Sequence, residues 1–579
     1  MLNPPEIIHG VPQYRREHYD TLFADRHLVH GALRKWAQET PQQIGLIECT
    51  TDRQFTYREL DDLTTWLALA LVEIGFGPGD YLATSLPLLA GHILLEYACF
   101  KIGVIHAPLD LRLKEPEVIR LANLIEPKGF AFWGRTAVAD FRELGRAMMQ
   151  QGPAIEHFFQ FGPPDETIDG ALAAATWMAE AESAARNALA AGSTSRTAAR
   201  YQQITRSIGP DHGAQVIFTT GSTGLPKPAL LSHRNITCQN MCLAGGLGMS
   251  AQTRILVNLP PSHVGCQAEE LMTTFFVGGT ALILEVFDAH ESLHAISAWE
   301  VNTMGQIPAM FQMEWRLPDY DQYNLSSLEM AIFGGQQVTR PFVEQLLHMV
   351  PHVGTGLGLT ELAGFVTYTG KTDRVEDLVD RVGWPMPITP LSIRQPINAD
   401  GTAGATFPDG KVGEICFSGP QVFVDYVNDP DAYRQTVSSD GICYTGDLGC
   451  WTERGLVFKG RSKLVIKPKG YQVHPAEIEN HFAALEDQVA CCGAVGAVHE
   501  VFGEAVVLFV EPKPGGPISR EQLEKHARGI AGYMRPLHYV LLPAGGFPLN
   551  RVSKTDYVRL AEWACEEVDR LRALGEWDR

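Results

Sequence analysis

The loop Thr219-Thr220-Gly221-Ser222-Thr223-Gly224-Leu225-Pro226-Lys227-Pro228 constrains this chain more than any other stretch. Gln215-Val216-Ile217-Phe218 precedes it, short, apolar and β-prone. Ala229-Leu230-Leu231-Ser232-His233-Arg234-Asn235 follows and reads as a strand edge and then a helix start. A Gly/Ser/Thr loop with one lysine, set between ordered elements, suits phosphate. Glycines let backbone N–H groups approach the oxygens, hydroxyls add donors, and the lysine adds a point charge. It is not a Walker loop, because Lys227 is flanked by prolines and the Gly-Lys-Ser/Thr ending is missing. Composition alone fits a flexible Gly/Ser hairpin equally well. The order of residues, and what else the chain carries, must separate the two.

Around the loop, helix and strand patterns alternate. Thr56-Tyr57-Arg58-Glu59 is a capping box. Leu60, Leu63, Leu67, Leu71 and Ile74 follow at helical spacing, and Gly75 sits where a helix stops. Residues 79–86 read as a turn and a strand, 94–102 as a buried helix, and 104–108 as a strand. That alternation predicts an α/β fold with largely parallel sheets. A chain of 579 residues should hold more than one domain. We expect a boundary near Gly460-Arg461-Ser462-Lys463, separating residues 1–460 from a compact unit at 461–579. Its pattern is a helix at 475–485, strands at 490–498 and 505–510, a helix after the capping box Ser519-Arg520-Glu521-Gln522, and a last helix after Thr555. Residues 383–460 read as short strands and turns, and 165–208 as an alanine-rich surface helix and a linker.

The net charge of −20 argues against nucleic acid or an anionic membrane as the main partner. The eleven cysteines contain no C-x-x-C pair and read as free thiols in a reducing cytoplasm. His348 and His352 have metal-like spacing, but Pro351 breaks any helix between them, so they read as structural. The N-terminal stretch does not read as a signal peptide. No apolar run reaches the roughly 20 residues needed to span a bilayer.

More motifs follow in order: Pro260-Pro261-Ser262-His263-Val264-Gly265, Gly334-Gly335-Gln336-Gln337, Gly356-Leu357-Gly358-Leu359-Thr360-Glu361, Tyr444-Thr445-Gly446-Asp447, the block from Gly460 to Glu479, and Pro548-Leu549-Asn550-Arg551-Val552-Ser553-Lys554. Together with the phosphate loop they resemble the signatures of the adenylate-forming superfamily: acyl-CoA synthetases, adenylation domains of peptide synthetases and firefly-type luciferases. The resemblance runs from about residue 28 to about residue 557. It implies a large N-terminal domain of stacked mixed β-sheets flanked by helices, with a small β-barrel-like subdomain, and a small mobile α+β C-terminal domain.

The resemblance also implies roles. Thr219, Thr220, Gly221, Ser222, Thr223, Gly224 and Lys227 would hold the β- and γ-phosphates of ATP. Glu361, with Thr220, would bind Mg2+, and Thr360 the α-phosphate. Gly334, Gly335 and Gln336 resemble the adenine-side loop, although Ala-Pro is commoner than Gln336-Gln337. Gly356, Leu357 and Gly358 occupy the adenine-facing motif, where Leu357 replaces the usual tyrosine. Asp447 and Arg461 would hold the ribose. Lys463 sits at the hinge position, and Lys469, Gly470 and Tyr471 occupy the loop lining the pantetheine tunnel of coenzyme A. Lys554 would bridge the carboxylate and the α-phosphate, with Asn550 and Ser553 in place of the commoner Thr and Gly. Lys554, Thr220, Glu361, His263 and Lys469 are the catalytic candidates.

The activity implied is ATP-dependent carboxylic acid–CoA ligation through an acyl-AMP. A stand-alone enzyme that loads a carrier protein is the second reading, and a non-catalytic ligand sensor the third. The amino-acid-binding aspartate of the peptide synthetases has no counterpart beside His263, which favours a plain carboxylic acid. By analogy the acyl pocket is walled by His263, Gly265, Cys266, Gly335, Gly358, Ala363 and Gly364, leaving room for a ring or an aliphatic chain. Glu269 or Glu270 could face the pocket and would then favour a polar or cationic tail, but a helix surface is the expected placement. A homodimer is left open.

Overall fold

The computed structural model describes residues 3–136, 139–190, 196–219, 226–335, 338–379, 381–461, 464–468, 473–516, 518–550 and 554–578. Two large sheets form its body. One has eight strands, in the order Asp425–Tyr426, Pro228–Ser232, Gly213–Phe218, Ile105–Pro108, Tyr81–Ser85, Gly129–Trp133, His157–Phe161, Leu172–Ala173. From Gly213–Phe218 onward its neighbours are parallel. The other has seven strands, in the order His352–Thr355, Met330–Phe333, Thr303–Gln306, Arg254–Val257, Thr280–Ile283, Ile44–Glu48, Arg53–Thr56, and only the last pairing is antiparallel.

Period-two alternation explains how these sheets stack. Ile255 and Val257 point into one core cluster and Leu256 into another. Leu82 and Ile217 enter the shared cluster, whereas Ala83, Val216 and Phe218 enter a third. The shared cluster lies between the sheets and is filled by the helices Tyr57–Glu73, Ala90–Lys101 and His233–Leu247. Tyr57–Glu73 starts at the expected capping box, with the Thr56 and Glu59 side chains each accepting from the other's backbone N–H. Further helices cover the outer faces, Glu115–Ile125 and Arg142–Gln151 on one sheet and Ala289–Trp299 and Arg340–Met349 on the other.

A four-stranded antiparallel sheet follows: Leu391–Arg394, Gly413–Phe417, Cys443–Thr452 and Gly455–Arg461. Beyond it, the strands Val489–His499, Gly503–Pro512 and His538–Leu541 make a three-stranded sheet. Alternation decides its two faces as well. Val506, Leu508 and Val510 pack under the helix Pro475–Ala483, and Ala505, Val507 and Phe509 under the helix Tyr557–Ala573. Among the described residues no helix is long and apolar enough to cross a membrane.

Candidate active site

The loops expected to carry the chemistry leave the C-terminal ends of parallel strands, where open α/β sheets bind ligands. Thr219 follows Gly213–Phe218, His263 follows Arg254–Val257, Gly334 and Gly335 follow Met330–Phe333, and residues 356–361 follow His352–Thr355. Thr220, Gly221, Ser222, Thr223, Gly224, Gln336, Lys463, Lys469, Gly470 and Tyr471 lie outside the described residues.

The neck of the phosphate loop is closed by the Thr219 N–H donating to the Lys227 carbonyl at 2.9 Å. Lys227 Nζ stands 5.1 Å from the centroid of the Tyr426 ring. The hydroxyl of the same tyrosine donates to Glu361 Oε1. Burial first, and the Glu361 carboxylate second, push the Tyr426 phenol far above its usual range, so it remains a donor. One aromatic ring thus holds the candidate phosphate lysine and the candidate metal carboxylate together. Among the described residues no three His, Cys, Asp or Glu side chains converge as a metal cage. Glu361 is a single carboxylate beside a phosphate loop, and Mg2+ is commonly held that way, by one or two carboxylates and substrate phosphates.

Asp447 and Arg461 face each other across the pairing of Cys443–Thr452 with Gly455–Arg461, Nε to Oδ1 3.1 Å. Asp447 is buried, and no donor is aligned on its Oδ1. The Arg461 contact leaves this buried carboxylate with spare acceptor capacity, which suits a ribose hydroxyl. Burial raises its pKa, with Arg461 and Lys554 working against that.

Lys554 arrives from the C-terminal part of the chain. Its backbone is fixed by Asn550, whose N–H donates to the Lys554 carbonyl at 2.7 Å. Asn550 Oδ1 in turn accepts from the Lys554 N–H at 3.1 Å. The asparagine at the position where threonine is commoner therefore closes the lysine loop on itself. The side chain runs over Gly335 into a space it shares with Arg461, Asp447 and Glu269. Burial and then Arg461 lower its pKa, while Asp447 and Glu269 favour its charge.

His263 opens the helical stretch that continues as π-helical turns over Gly265–Met272. Burial holds its pKa down to about 4, so the imidazole is neutral near pH 7. Its Nε2 lies 3.8 Å from Asp110 Oδ2 and has no hydrogen-bond partner. Burial would raise the Asp110 pKa, but hydrogen bonds from Arg112 hold it below the usual range.

The expected acyl walls divide. His263, Gly265, Gly335 and Gly358 keep accessible surface, whereas Cys266, Ala363 and Gly364 are buried, the first two fully within the core. Leu357 is also buried in that core, and its N–H donates to Thr367 Oγ1 at 2.8 Å. The expectation that Glu269 and Glu270 lie on a helix surface is overturned. Glu270 is 4% exposed, and Glu269 is enclosed by protein while keeping some accessible surface. The π-helical i→i+5 register explains it: successive side chains no longer follow the 3.6-residue period, and both carboxylates turn inward.

Three residues of the site escaped the motifs. Tyr426 reaches Lys227 only because Asp425–Tyr426 pairs with Pro228–Ser232, a tertiary event with no local signature. Asp110 had a usable signal, a carboxylate just past the parallel strand Ile105–Pro108. Gln239 lies within a nearly fully buried helix and reads in sequence as ordinary core.

Fold and site together define an enzyme with one lysine, Lys227, joined through Tyr426 to Glu361, and another, Lys554, from the C-terminal part of the chain among Gly335, Asp447, Arg461 and Glu269. The AMP-binding enzyme family model matches residues 33–427, and the model of the AMP-binding enzyme C-terminal domain matches residues 477–554. The chain belongs to the AMP-binding enzyme family, that of the adenylate-forming acyl-CoA synthetases. It is similar to the putative acyl-CoA synthetase YngI of Bacillus subtilis, 24% identical over 566 residues, covering 93% of this chain and 98% of that protein. It is 28% identical over 485 residues to a feruloyl-CoA synthase of Amycolatopsis, covering 83% of this chain and 88% of that protein. Its fold is shared with ATP-bound MatB from Rhodopseudomonas palustris, with a TM-score of 0.78 at 22% identity over 93% of this chain and 98% of that one.

Proposed function

We propose that this protein activates a carboxylic acid with ATP and transfers the acyl group to coenzyme A, with the roles that follow. The reaction class is that of its family, AMP-forming acid–thiol ligation through an acyl-AMP. Lys554 lies between the substrate carboxylate and the α-phosphate and stabilises the charge that develops as the carboxylate oxygen attacks phosphorus. Lys227 holds the departing pyrophosphate. Asp447 and Arg461 fix the ribose, and the neutral His263 borders the reacting carboxylate. Glu361, steadied by Tyr426, would hold Mg2+, which when bound neutralises phosphate oxygens.

The second half-reaction needs a different arrangement of the same cavity. Residues 461–579 act as a lid on residues 1–460. The lid turns at Lys463, withdraws Lys554 and presents Lys469, Gly470 and Tyr471 to the pantetheine arm, after which the thiol attacks the acyl carbonyl and AMP leaves. The observation that carries this reading is the reach of Lys554 across the chain to Gly335, Asp447 and Glu269. Cytoplasmic location belongs to the same proposal, in keeping with eleven free cysteines. So does assembly as a homodimer, which light scattering decides.

Pyrophosphate release across an acid panel tests the activity, with CoA and a phosphopantetheinylated carrier protein as competing acceptors. We expect acid-dependent AMP and acyl-CoA. Transfer to the carrier alone would overturn the choice of acceptor, and ATP turnover unmoved by any acid would overturn the ligase reading.

A further inference from the structure

The acyl side of the site holds a polar pair that the activation chemistry leaves unused. A methyl group built on Gly364 would come within 2.6 Å of Glu269 Oε1 and 3.1 Å of Gln239 Nε2. Two side chains from different helices therefore converge on the buried backbone of Gly364, one of the residues expected around the acyl pocket. Gly364 has φ +122, a conformation that favours glycine. On the other side of the carboxylate, a methyl on Gly265 would lie 3.5 Å from Glu269 Oε2.

The two partners are half-satisfied in complementary ways. Gln239 is fully buried; its Oε1 accepts from Asn240 Nδ2 at 3.0 Å, and its Nε2 donates to nothing. Glu269 accepts from the Phe365 N–H and keeps some accessible surface. A buried amide donor without a partner is uncommon in a folded protein and calls for a ligand or a water. Burial pushes the Glu269 pKa up to about 7, with the Phe365 N–H and Lys554 opposing, so near neutral pH the group is divided between carboxylate and protonated carboxyl.

The chemistry narrows what fits there. An alkyl tail would leave both groups unpaired. An ammonium would satisfy Glu269 but cannot accept from Gln239, and it would face the charge of Lys554. A ketone would accept from Gln239, but Glu269 would reach it only in its protonated form, a share that shrinks as pH rises above about 7. A hydroxyl donates to the carboxylate and accepts from the amide at once. We propose that Glu269 and Gln239 are a specificity pair selecting carboxylic acids that carry a hydroxyl on the chain or ring entering the acyl pocket. The inference rests on the acid-activating function proposed above.

The test is pyrophosphate release by the full-length protein with matched series of acids: octanoate and cinnamate, each unsubstituted or bearing a hydroxyl, oxo or amino group at successive positions. Sites built to bond a substrate hydroxyl reject the analogue lacking it by roughly 10⁴-fold or more in the best cases. We expect one hydroxylated member to exceed its unsubstituted and amino counterparts by at least about 100-fold in kcat/KM, and its oxo counterpart by a margin that widens as pH rises above about 7. Glu269→Leu and Gln239→Leu should each cut that preference to within about tenfold, chiefly through KM of the hydroxylated acid. The rise in melting temperature on adding ATP shows that each variant is folded. A wild type that favours the unsubstituted, oxo or amino acid overturns the proposal, and so does a preference that survives both substitutions. If no acid releases pyrophosphate, the ligase reading itself falls first, which distinguishes the two failures.

Discussion

Gly335 and Lys554 touch: a methyl group on the glycine would stand 2.9 Å from Cε and 3.2 Å from Nζ of the lysine. One residue leaves a strand of the seven-stranded sheet, and the other comes from the C-terminal part of the chain. Gly335 also has φ +89, where a side chain is strained. Gly335→Ala should therefore displace the ammonium by a few tenths of an ångström to an ångström. Misplacement on that scale costs on the order of 100-fold. We expect acid-dependent ATP–pyrophosphate exchange to fall by about that factor, while thioester formation from supplied acyl-AMP falls much less. Equal losses in the two half-reactions would show that the contact is not specific to adenylation.

Lys554→Ala removes the charge outright. Loss of a preorganised group facing developing charge costs roughly 10²–10³ in kcat. We expect that loss in acyl-AMP formation, with CoA thiolysis of a supplied adenylate retained. Lys554→Arg should recover little, because a planar guanidinium does not replace a point charge in a closed space. Stopped-flow measurement of the two half-reactions separates these outcomes.

Much of this was legible in the chain, for identifiable reasons. The α/β layers follow from period-two and helical patterning, and the capping boxes at Thr56 and Ser519 appear where the sequence puts them. Motif positions are local, so Asp447, Arg461 and Lys554 could be named before any coordinates. What the sequence hid is what depends on pairing or on an irregular helix. Tyr426 meets Lys227 through strand pairing, and Glu269 turns inward through a π-helical register that amphipathic periodicity does not anticipate. Cys266 and Ala363 sit at expected wall positions, yet neighbouring side chains seal them in the core. Adjacency in sequence to a wall residue does not decide which way a side chain faces.

Tyr426→Phe keeps the ring under Lys227 and deletes only the donor to Glu361. A hydrogen bond to a charged group contributes roughly 1.5–3 kcal/mol. The freed carboxylate loses its orientation, so kcat/KM for ATP should fall about tenfold, with a higher Mg2+ concentration needed for half-maximal rate. Tyr426→Leu removes the ring as well and should cost more. A Mg2+ titration of pyrophosphate release decides it, and an unchanged Mg2+ requirement in Tyr426→Phe would count against Glu361 as the metal ligand.

Glu96 lies in the helix Ala90–Lys101, against the strand Gly213–Phe218, and is fully buried. Gln215 Nε2 donates to its Oε1 at 2.8 Å, and His106 Nδ1 is 3.1 Å away. The distance suggests an ion pair, but burial pushes Glu96 up to about 8 and His106 down to about 3, so both are neutral at pH 7. The folded protein thus keeps a proton on Glu96 that the unfolded chain releases in the ordinary carboxylate range. Stability from this group is full at low pH and falls as pH rises toward and through about 8. Glu96→Gln holds a neutral isostere and does not titrate. His92 and His106 contribute in the opposite sense, losing stability as pH falls below about 6.5, but they are present in both proteins and cancel in the comparison. The melting temperature of Glu96→Gln relative to wild type should therefore climb from about pH 5 to about pH 8 and then level off. Calorimetry across that range measures it, and a difference that stays level would mean that Glu96 is already ionised in the folded state.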